Sequence, residues 1–308
     1  MATDFALTAL LSSTAFRAVS GHVLFAAASF TLATLMKVID PSARFPEGPV
    51  WHDGKLYYVE YGGHTVKTWD GLKLAEFWKS DGCGPSAVAP FGDGFLVAGY
   101  DAGAMVRISV DGRTIQTIDK DISGGGFLGP NDIAPDGKGG IYFSASGPWE
   151  SGAILGKIYH MEADGRAHMV ADDLHYPNGL VLSADGKTLY VNESEAYRVI
   201  RFAVAEDGAL SDRRLFVRLN ELLPSAPPGA YPDGIKRDRS GNLFIGQFSA
   251  GQILIVSPDG KLLRTIEVPS AAAPNLAFSP EEDRIYIAAV DDKSKAPWPG
   301  KIYEVSLR

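Results

Sequence analysis

The chain has 308 residues, of which 45% are hydrophobic and 21% charged, and its formal net charge is −8. This length is enough to bury a large core, and the lack of a dense basic cluster argues against a nucleic-acid partner. The single cysteine, Cys83, excludes an intrachain disulfide and a cysteine-based zinc site. The 34 glycines and 19 prolines, set between short Val, Ile, Tyr and Phe runs, indicate an all-β protein rich in turns.

The N-terminal segment carries no fixed charge from Ala18 to Met36. A secretory signal is one interpretation, although Arg17 is its only basic residue. A membrane span is a second, but polar residues interrupt the roughly 20 apolar residues that a span requires. We favour the third, in which the native start is Met36 and residues 1–36 lie outside the fold. The protein is then expected to be cytoplasmic, with membrane contact only if this segment is an anchor.

A six-fold repeat dominates the rest of the chain. Each unit has a proline, a variable residue, a short apolar stretch, a turn containing Gly or Asp, and an alternating strand. In chain order the units are "PEGPVWHDGKLYYVE" from Pro46, "PSAVAPFGDGFLVAG" from Pro85, "PNDIAPDGKGGIYFSA" from Pro130, "PNGLVLSADGKTLYVNE" from Pro177, "PDGIKRDRSGNLFIGQ" from Pro232 and "PNLAFSPEEDRIYIAA" from Pro274.

Further strand signals lie between these units, and several are alternating runs joined by Asp-Gly, as in "MVRISVDGRTIQTI" and "QILIVSPDGKLLRTI". Each unit therefore has room for about four strands. No helical periodicity of useful length follows Met36. The pattern predicts a six-bladed β-propeller over residues 37–308, with four-stranded blades around a central metal-containing channel. Residues 37–43 are expected to close the ring beside the C-terminal "KIYEVSLR".

The residue after each proline is expected to face the channel. In order these residues are Glu47, Ser86, Asn131, Asn178, Asp233 and Asn275. Pro-Asn and Pro-Asp are also ordinary turn dipeptides, which remains the simpler explanation for any single one. Six oxygen-bearing side chains in register instead indicate hard ligands for a divalent cation, calcium first and then magnesium or manganese.

The motifs "EGPVW", "PNDIAPDGKGGIYF", "PNGLVLSADGKTLYV" and "PDGIKRDRSGNLFIG" resemble the gluconolactonase/regucalcin family of six-bladed propellers. The resemblance covers residues 45–290 and implies lactone hydrolysis with one divalent cation, for which zinc is also possible. It implies that Glu47, Asn178 and Asp233 hold the metal. It also implies that Asn131 lies beside the metal and contacts substrate or metal.

Two positions depart from the family pattern. Many members have an arginine that grips a sugar acid two residues before the asparagine of the "PND" motif, where this chain has Gly129. The Thr-Asp-Pro that gluconolactonases tend to carry after the following strand is replaced by "FSASGP", with Ser144 and Ala145. The resemblance therefore covers the proposed metal ligands and does not extend to these sugar-binding positions.

The working hypothesis is hydrolysis of a lactone or related small ester by metal-activated water. Asp233 is the candidate to take the proton from water, and Asn131 to orient the carbonyl. The predicted substrate-binding residues are Asn131, Tyr100, Asp101, Trp149 and Glu193. Two alternatives stay open: a calcium-dependent phosphotriesterase on the same site, and a non-catalytic ligand-binding propeller with a structural metal. The acidic composition is compatible with a monomer.

Overall fold

The computed structural model describes residues 36–308, and their regular structure is almost entirely β-strand. One four-residue helix, α1 (Leu219–Leu222), and two 3-10 turns, at Tyr61–Gly63 and Ser194–Ala196, are the helical elements of this part. Nothing helical between residues 36 and 308 has the length and apolarity needed to cross a bilayer. The all-β prediction is confirmed, whereas the interpretations of residues 1–35 fall outside the described residues.

Strand β1 (Met36–Arg44) comes first, and four separate four-stranded antiparallel sheets follow in chain order. The first sheet is β2 (Pro46–His52), β3 (Lys55–Glu60), β4 (Thr65–Trp69) and β5 (Leu74–Lys79). The second is β6 (Pro85–Phe91), β7 (Gly94–Gly99), β8 (Ala104–Ile108) and β9 (Thr114–Ile118). The third is β10 (Pro130–Pro135), β11 (Ile141–Ala145), β12 (Gly156–Met161) and β13 (Ala167–Leu174). The fourth is β14 (Pro177–Leu182), β15 (Thr188–Glu193), β16 (Arg198–Val204) and β17 (Leu210–Arg218).

The last strands form one eight-stranded sheet together with β1. They are β18 (Tyr231–Arg237), β19 (Leu243–Phe248), β20 (Gln252–Val256), β21 (Leu262–Glu267), β22 (Ala272–Phe278), β23 (Arg284–Val290) and β24 (Pro299–Ser306). Its two four-stranded halves meet through a single register pair, Gln247 with Ala273. Gly246 permits this contact, because a Cβ there would lie 2.1 Å from the carbonyl oxygen of Pro274. Four-stranded propeller-like blades are thus confirmed, but the strands do not separate into six sheets.

The ring closes where β1 pairs antiparallel with β24, as the sequence predicts. Buried charges then attach β1 to the first sheet. Lys67 Nζ lies 2.8 Å from Asp40 Oδ2 and 3.0 Å from Glu60 Oε1, and both carboxylate side chains are almost completely buried. Tyr58 donates a 2.6 Å hydrogen bond to Asp40. The first and last parts of the fold are therefore joined by a hydrogen-bonded ion network as well as by strand pairing.

Apolar side chains fill the spaces between neighbouring sheets. Val59 and Val66 of the first sheet, for example, share one buried cluster with Val88 and Val97 of the second. Successive residues of a strand point to opposite faces of the sheet, so a sheet that lies between two others packs against both of them. Cys83 is buried in this same cluster, and burial raises the pKa of its thiol to about 12.

Candidate metal and substrate site

The six residues that follow the repeated prolines all lie in the first strand of a four-stranded unit: β2, β6, β10, β14, β18 and β22. Next to each of them, the pairing with the second strand shifts register. Such a β-bulge bends the strand and redirects a side chain out of the regular alternation. The repeat therefore provides the same local distortion six times, each time at a candidate ligand.

Five of these side chains line one cavity of about 260 Å³: Glu47, Ser86, Asn131, Asn178 and Asp233. The sixth, Asn275, is buried behind them. Its Nδ2 donates to Glu47 Oε2 at 3.1 Å and lies 3.5 Å from Asp132 Oδ2. The structure thus brings the predicted set together, with Asn275 supporting Glu47 from behind the cavity wall.

Burial and mutual repulsion perturb the two carboxylates of the cavity. Desolvation, reinforced by the charge of Asp132, raises the pKa of Glu47 to about 8. Desolvation and the charges of Glu47 and Asp132 raise the pKa of Asp233 well above its usual range, opposed by a hydrogen bond with the Asn178 side chain. Converging buried carboxylates of this kind cannot all ionise unless a cation offsets their charge.

Asp132 is a third carboxylate at this point, and the sequence analysis did not single it out. It is buried, and its Oδ2 lies 3.4 Å from Lys236 Nζ. The available signal was its position, directly after Asn131 in the "PND" motif. Asp132 and Lys236 line a different cavity from the one that Glu47 and Asp233 line, so Asp132 lies behind the ligand set.

Hydrogen bonds from the third and fourth sheets hold the ligand-bearing strand that follows each of them. Ser144 Oγ donates to the carbonyl oxygen of Asn178 at 2.8 Å. Asn192 Nδ2 donates to that of Asp233 at 2.6 Å. Gly179 allows the close approach that these bonds require, because a Cβ there would lie 2.5 Å from the Asp233 carbonyl oxygen. Ser144, which departs from the family pattern, therefore has a role in positioning a candidate ligand.

The walls of the cavity are aromatic, and we call this set the aromatic collar. It consists of Phe45, Tyr61, Tyr100, Trp149, Tyr176, Tyr231, Phe248 and Trp298. Of these residues, only Tyr100 and Trp149 were predicted from the sequence. The missed signal was periodic: Phe45, Tyr176 and Tyr231 directly precede the prolines of three repeats.

Two predicted substrate-binding residues lie away from the cavity lining. Asp101 accepts a 3.0 Å hydrogen bond from the hydroxyl of Tyr61. Glu193 is fully buried and forms ion pairs with Arg198 and Arg213, at 2.5 Å and 3.0 Å. The contacts of Glu193 are those of a structural ion pair. Asp101 is connected to the cavity lining through its hydrogen bond with Tyr61.

The donors in the cavity suit a hard divalent cation. Within residues 36–308, no three His, Cys, Asp or Glu side chains are arranged to hold a metal by themselves. A cation at the cavity floor would therefore take its protein ligands from two carboxylates and two amide oxygens, those of Glu47, Asp233, Asn131 and Asn178. Oxygen donors of these types, without sulfur or imidazole, are those of calcium and magnesium sites.

Comparison with known proteins gives consistent results. Residues 45–291 match the family described as "SMP-30/Gluconolactonase/LRE-like region". The chain is 30% identical over 258 residues to the pentonolactonase XacC of Haloferax volcanii, covering 82% of this chain and 84% of that protein. It is 28% identical over 253 residues to the lactonase drp35 of Staphylococcus saprophyticus, covering 77% and 76%.

Solved structures show the same fold. A gluconolactonase from Xanthomonas campestris superposes with a TM-score of 0.73 at 25% identity, over 90% of this chain and 92% of that one. A luciferin-regenerating enzyme gives 0.74 at 22% identity, over 89% and 95%. At the latter identity the likeness concerns the fold alone.

Proposed function

The chain belongs to the SMP-30/gluconolactonase/LRE-like family, and we propose that it is a divalent-metal-dependent hydrolase that opens lactones. Relatives named as lactonases support lactone hydrolysis as the reaction class. The observation that carries the metal dependence is the convergence of Glu47, Asn131, Asn178 and Asp233 on one cavity floor. We further propose that the eight-stranded sheet represents two blades joined at one residue pair, which makes six blades in total.

Glu47, Asn178 and Asp233 would hold the cation, with Asn131 beside it. When bound, a divalent cation such as calcium supplies positive charge that stabilises a developing oxyanion and lowers the pKa of water. The side-chain amide of Asn131 would orient the lactone carbonyl by donating a hydrogen bond. The collar above this floor would exclude bulk water from the site, which strengthens every electrostatic interaction within it.

Asp233 would act as the general base, because its carboxylate lies at the floor where substrate and water meet. The oxygen of water forms a bond to the carbonyl carbon, and its proton passes to Asp233. The ring C–O bond then breaks, and the leaving oxygen takes that proton to give a hydroxy acid. No protein nucleophile is needed in this sequence of bond changes.

Asp233→Asn is the variant that tests the assignment, because it keeps the shape of the side chain and removes its charge. The protein is stripped of metal with a chelator, assayed on six-membered lactones, and reassayed with calcium, magnesium, manganese or zinc restored. We expect activity only after a cation is restored, and at least a 10³-fold lower kcat for the variant, within the range of a lost catalytic group.

Asp93→Asn is a matched control, because Asp93 is an exposed aspartate in the turn between β6 and β7. It should retain full activity and calcium affinity. A metal-free protein that turns over as fast as the calcium-loaded one would contradict the metal dependence. Equal turnover by Asp233→Asn would contradict the role of Asp233. Hydrolysis of phosphotriesters in preference to every lactone would instead favour a phosphotriesterase.

A further inference from the structure

We infer that the substrate carries an aromatic or bulky apolar substituent on its lactone ring, and is not a polyhydroxylated sugar lactone. This inference rests on the proposed lactone hydrolysis and names the substrate class of the same site. The observation behind it is the aromatic collar, which contributes eight of the fourteen residues that line the cavity.

The collar is a connected set of rings. Trp149 lies edge-on to Tyr176, with ring centroids 4.6 Å apart, and edge-on to Tyr231 at 4.9 Å. Phe45 contacts Tyr61 at 5.5 Å and Trp298 at 6.0 Å. Edge-to-face contacts at these distances are favourable, so the rings hold one another in place. They present carbon surface to the cavity.

Three of the four tyrosine hydroxyls of the collar are already hydrogen-bonded within the protein. Tyr100 donates to the carbonyl oxygen of Gly147 at 2.7 Å, and Tyr176 donates to Tyr100 at 3.0 Å. Tyr61 donates to Asp101. Among the described residues that line the cavity there is no lysine, arginine or histidine. The hydroxyl groups of a sugar lactone would lose their hydration on entering this cavity, and they would find few hydrogen-bond partners there to replace it.

Tyr100 also occupies the space beside Gly129. The backbone of Gly129 has φ +63°, and a Cβ there would lie 2.8 Å from the Tyr100 ring. A larger side chain would therefore meet both backbone strain and a direct clash with an anchored ring. Residue 129 cannot supply a charged group to the cavity while Tyr100 keeps its present position.

Backbone strain supports a functional role for the collar. Phe45, Tyr176 and Trp298 have φ between +49° and +54°, in the left-handed region that glycine adopts freely. Gly84 and Gly129, which precede the prolines of two other repeats, adopt the same conformation. An aromatic residue in this conformation is strained, whereas glycine is not. Such strain concentrates at functional sites, and here it projects the rings of Phe45 and Tyr176 into the cavity.

Further apolar side chains lie near the collar residue Tyr100. Leu128 and Leu155 flank Gly147, whose carbonyl anchors Tyr100, and their side chains are about half exposed. Ile154 is similarly exposed in the same loop. An apolar substituent that reached beyond the collar residues could therefore still contact the side chains of Leu128, Ile154 and Leu155.

The test compares three six-membered lactones with the calcium-loaded protein: 6-phenyl-δ-valerolactone, δ-valerolactone and D-glucono-1,5-lactone. We expect kcat/KM to be at least 10²-fold higher for the phenyl lactone than for the gluconolactone. The gluconolactone leaves polar groups unpaired and lacks a ring to contact the collar, and both effects lower its kcat/KM. Trp149→Ala should lower kcat/KM at least 10-fold more for the phenyl lactone than for δ-valerolactone. Trp149→Phe, which keeps a ring, should restore most of the loss.

A binding measurement separates this inference from the proposed function. The lactam 6-phenyl-2-piperidinone, which resists hydrolysis, is titrated calorimetrically into the protein and into Trp149→Ala. Binding that the variant weakens would uphold the inference even if no lactone were hydrolysed, and the proposed function alone would then fail. Equal or faster hydrolysis of gluconolactone would overturn the inference and leave lactone hydrolysis intact. Absence of both lactam binding and phenyl-lactone turnover would also overturn it.

Discussion

Removing divalent cations and raising the pH from 6 to 8 should destabilise this protein. The reason is Glu47, whose pKa is raised from 4.5 to about 8 by burial and by the charge of Asp132. In the unfolded chain the same carboxyl ionises near 4.5. Between these two values the unfolded state has released a proton that the folded, metal-free state keeps. The contribution of Glu47 to stability is therefore greatest below the lower value and is lost as the pH rises toward 8.

Linkage gives the magnitude. One proton retained only in the folded state costs about 1.4 kcal/mol of unfolding free energy for each pH unit. Because Glu47 itself begins to ionise near pH 8, the loss between pH 6 and 8 comes to about 2 kcal/mol. The pKa of Asp233 is raised as well, so it adds a loss of the same sign. The proposed calcium site exists only in the folded state, so added calcium should restore stability, more at pH 8 than at pH 6.

Urea denaturation followed by tryptophan fluorescence measures this effect, in chelator, at pH 6, 7 and 8. Glu47→Gln has no titrating carboxyl at this position. The free energy of unfolding of this variant should therefore fall less steeply with pH, by the slope that corresponds to about one bound proton. Subtracting the pH dependence of one protein from that of the other removes the contribution that histidines and other titrating groups make to both. A metal-free stability that stays constant or rises from pH 6 to 8, or a glutamine variant with an unchanged slope, would refute the reasoning.

Three further substitutions follow from the packing. Lys67→Met leaves the buried carboxylate of Asp40 without its cation and should cost about 3–5 kcal/mol of unfolding free energy in urea denaturation at pH 7. Gly179→Ala places a Cβ against the Asp233 carbonyl and should lower both stability, by about 1–3 kcal/mol, and calcium affinity, measured calorimetrically. Asn192→Ala leaves that carbonyl without its side-chain donor and should cost about 1–3 kcal/mol in the same denaturation assay.

Two of these substitutions, Lys67→Met and Gly179→Ala, have a control on the same molecule. Lys73→Met changes an exposed lysine in the turn between β4 and β5 and should alter stability by less than about 0.5 kcal/mol. Gly186→Ala adds a Cβ where no atom lies within 4 Å, so it should show only the modest cost of a positive φ. If Lys67→Met behaved like Lys73→Met, the ion network at the ring closure would contribute nothing measurable.

The blade units could be predicted from the sequence because their signals are local. Alternation, Asp-Gly turns and the repeated proline act over a few residues each. The Asp111–Gly112 and Asp259–Gly260 turns indeed join paired strands, with Gly112 and Gly260 donating to residues three positions earlier. The fusion of the last two units into one sheet was not predictable in this way. It depends on how closely β19 approaches β22, which is set by packing across the ring.

The sequence alone determined the periodic placement of oxygen side chains, because a residue at one position of a repeat occupies an equivalent place in every blade. Only the tertiary structure decided what each charged residue contacts. Glu193 and Glu47 both lie on strands of the repeat, yet Glu193 is neutralised by two arginines while Glu47 faces the cavity. The aromatic collar likewise assembles from residues far apart in the chain. Electrostatic and ring contacts depend on distance in space, which a linear pattern does not specify.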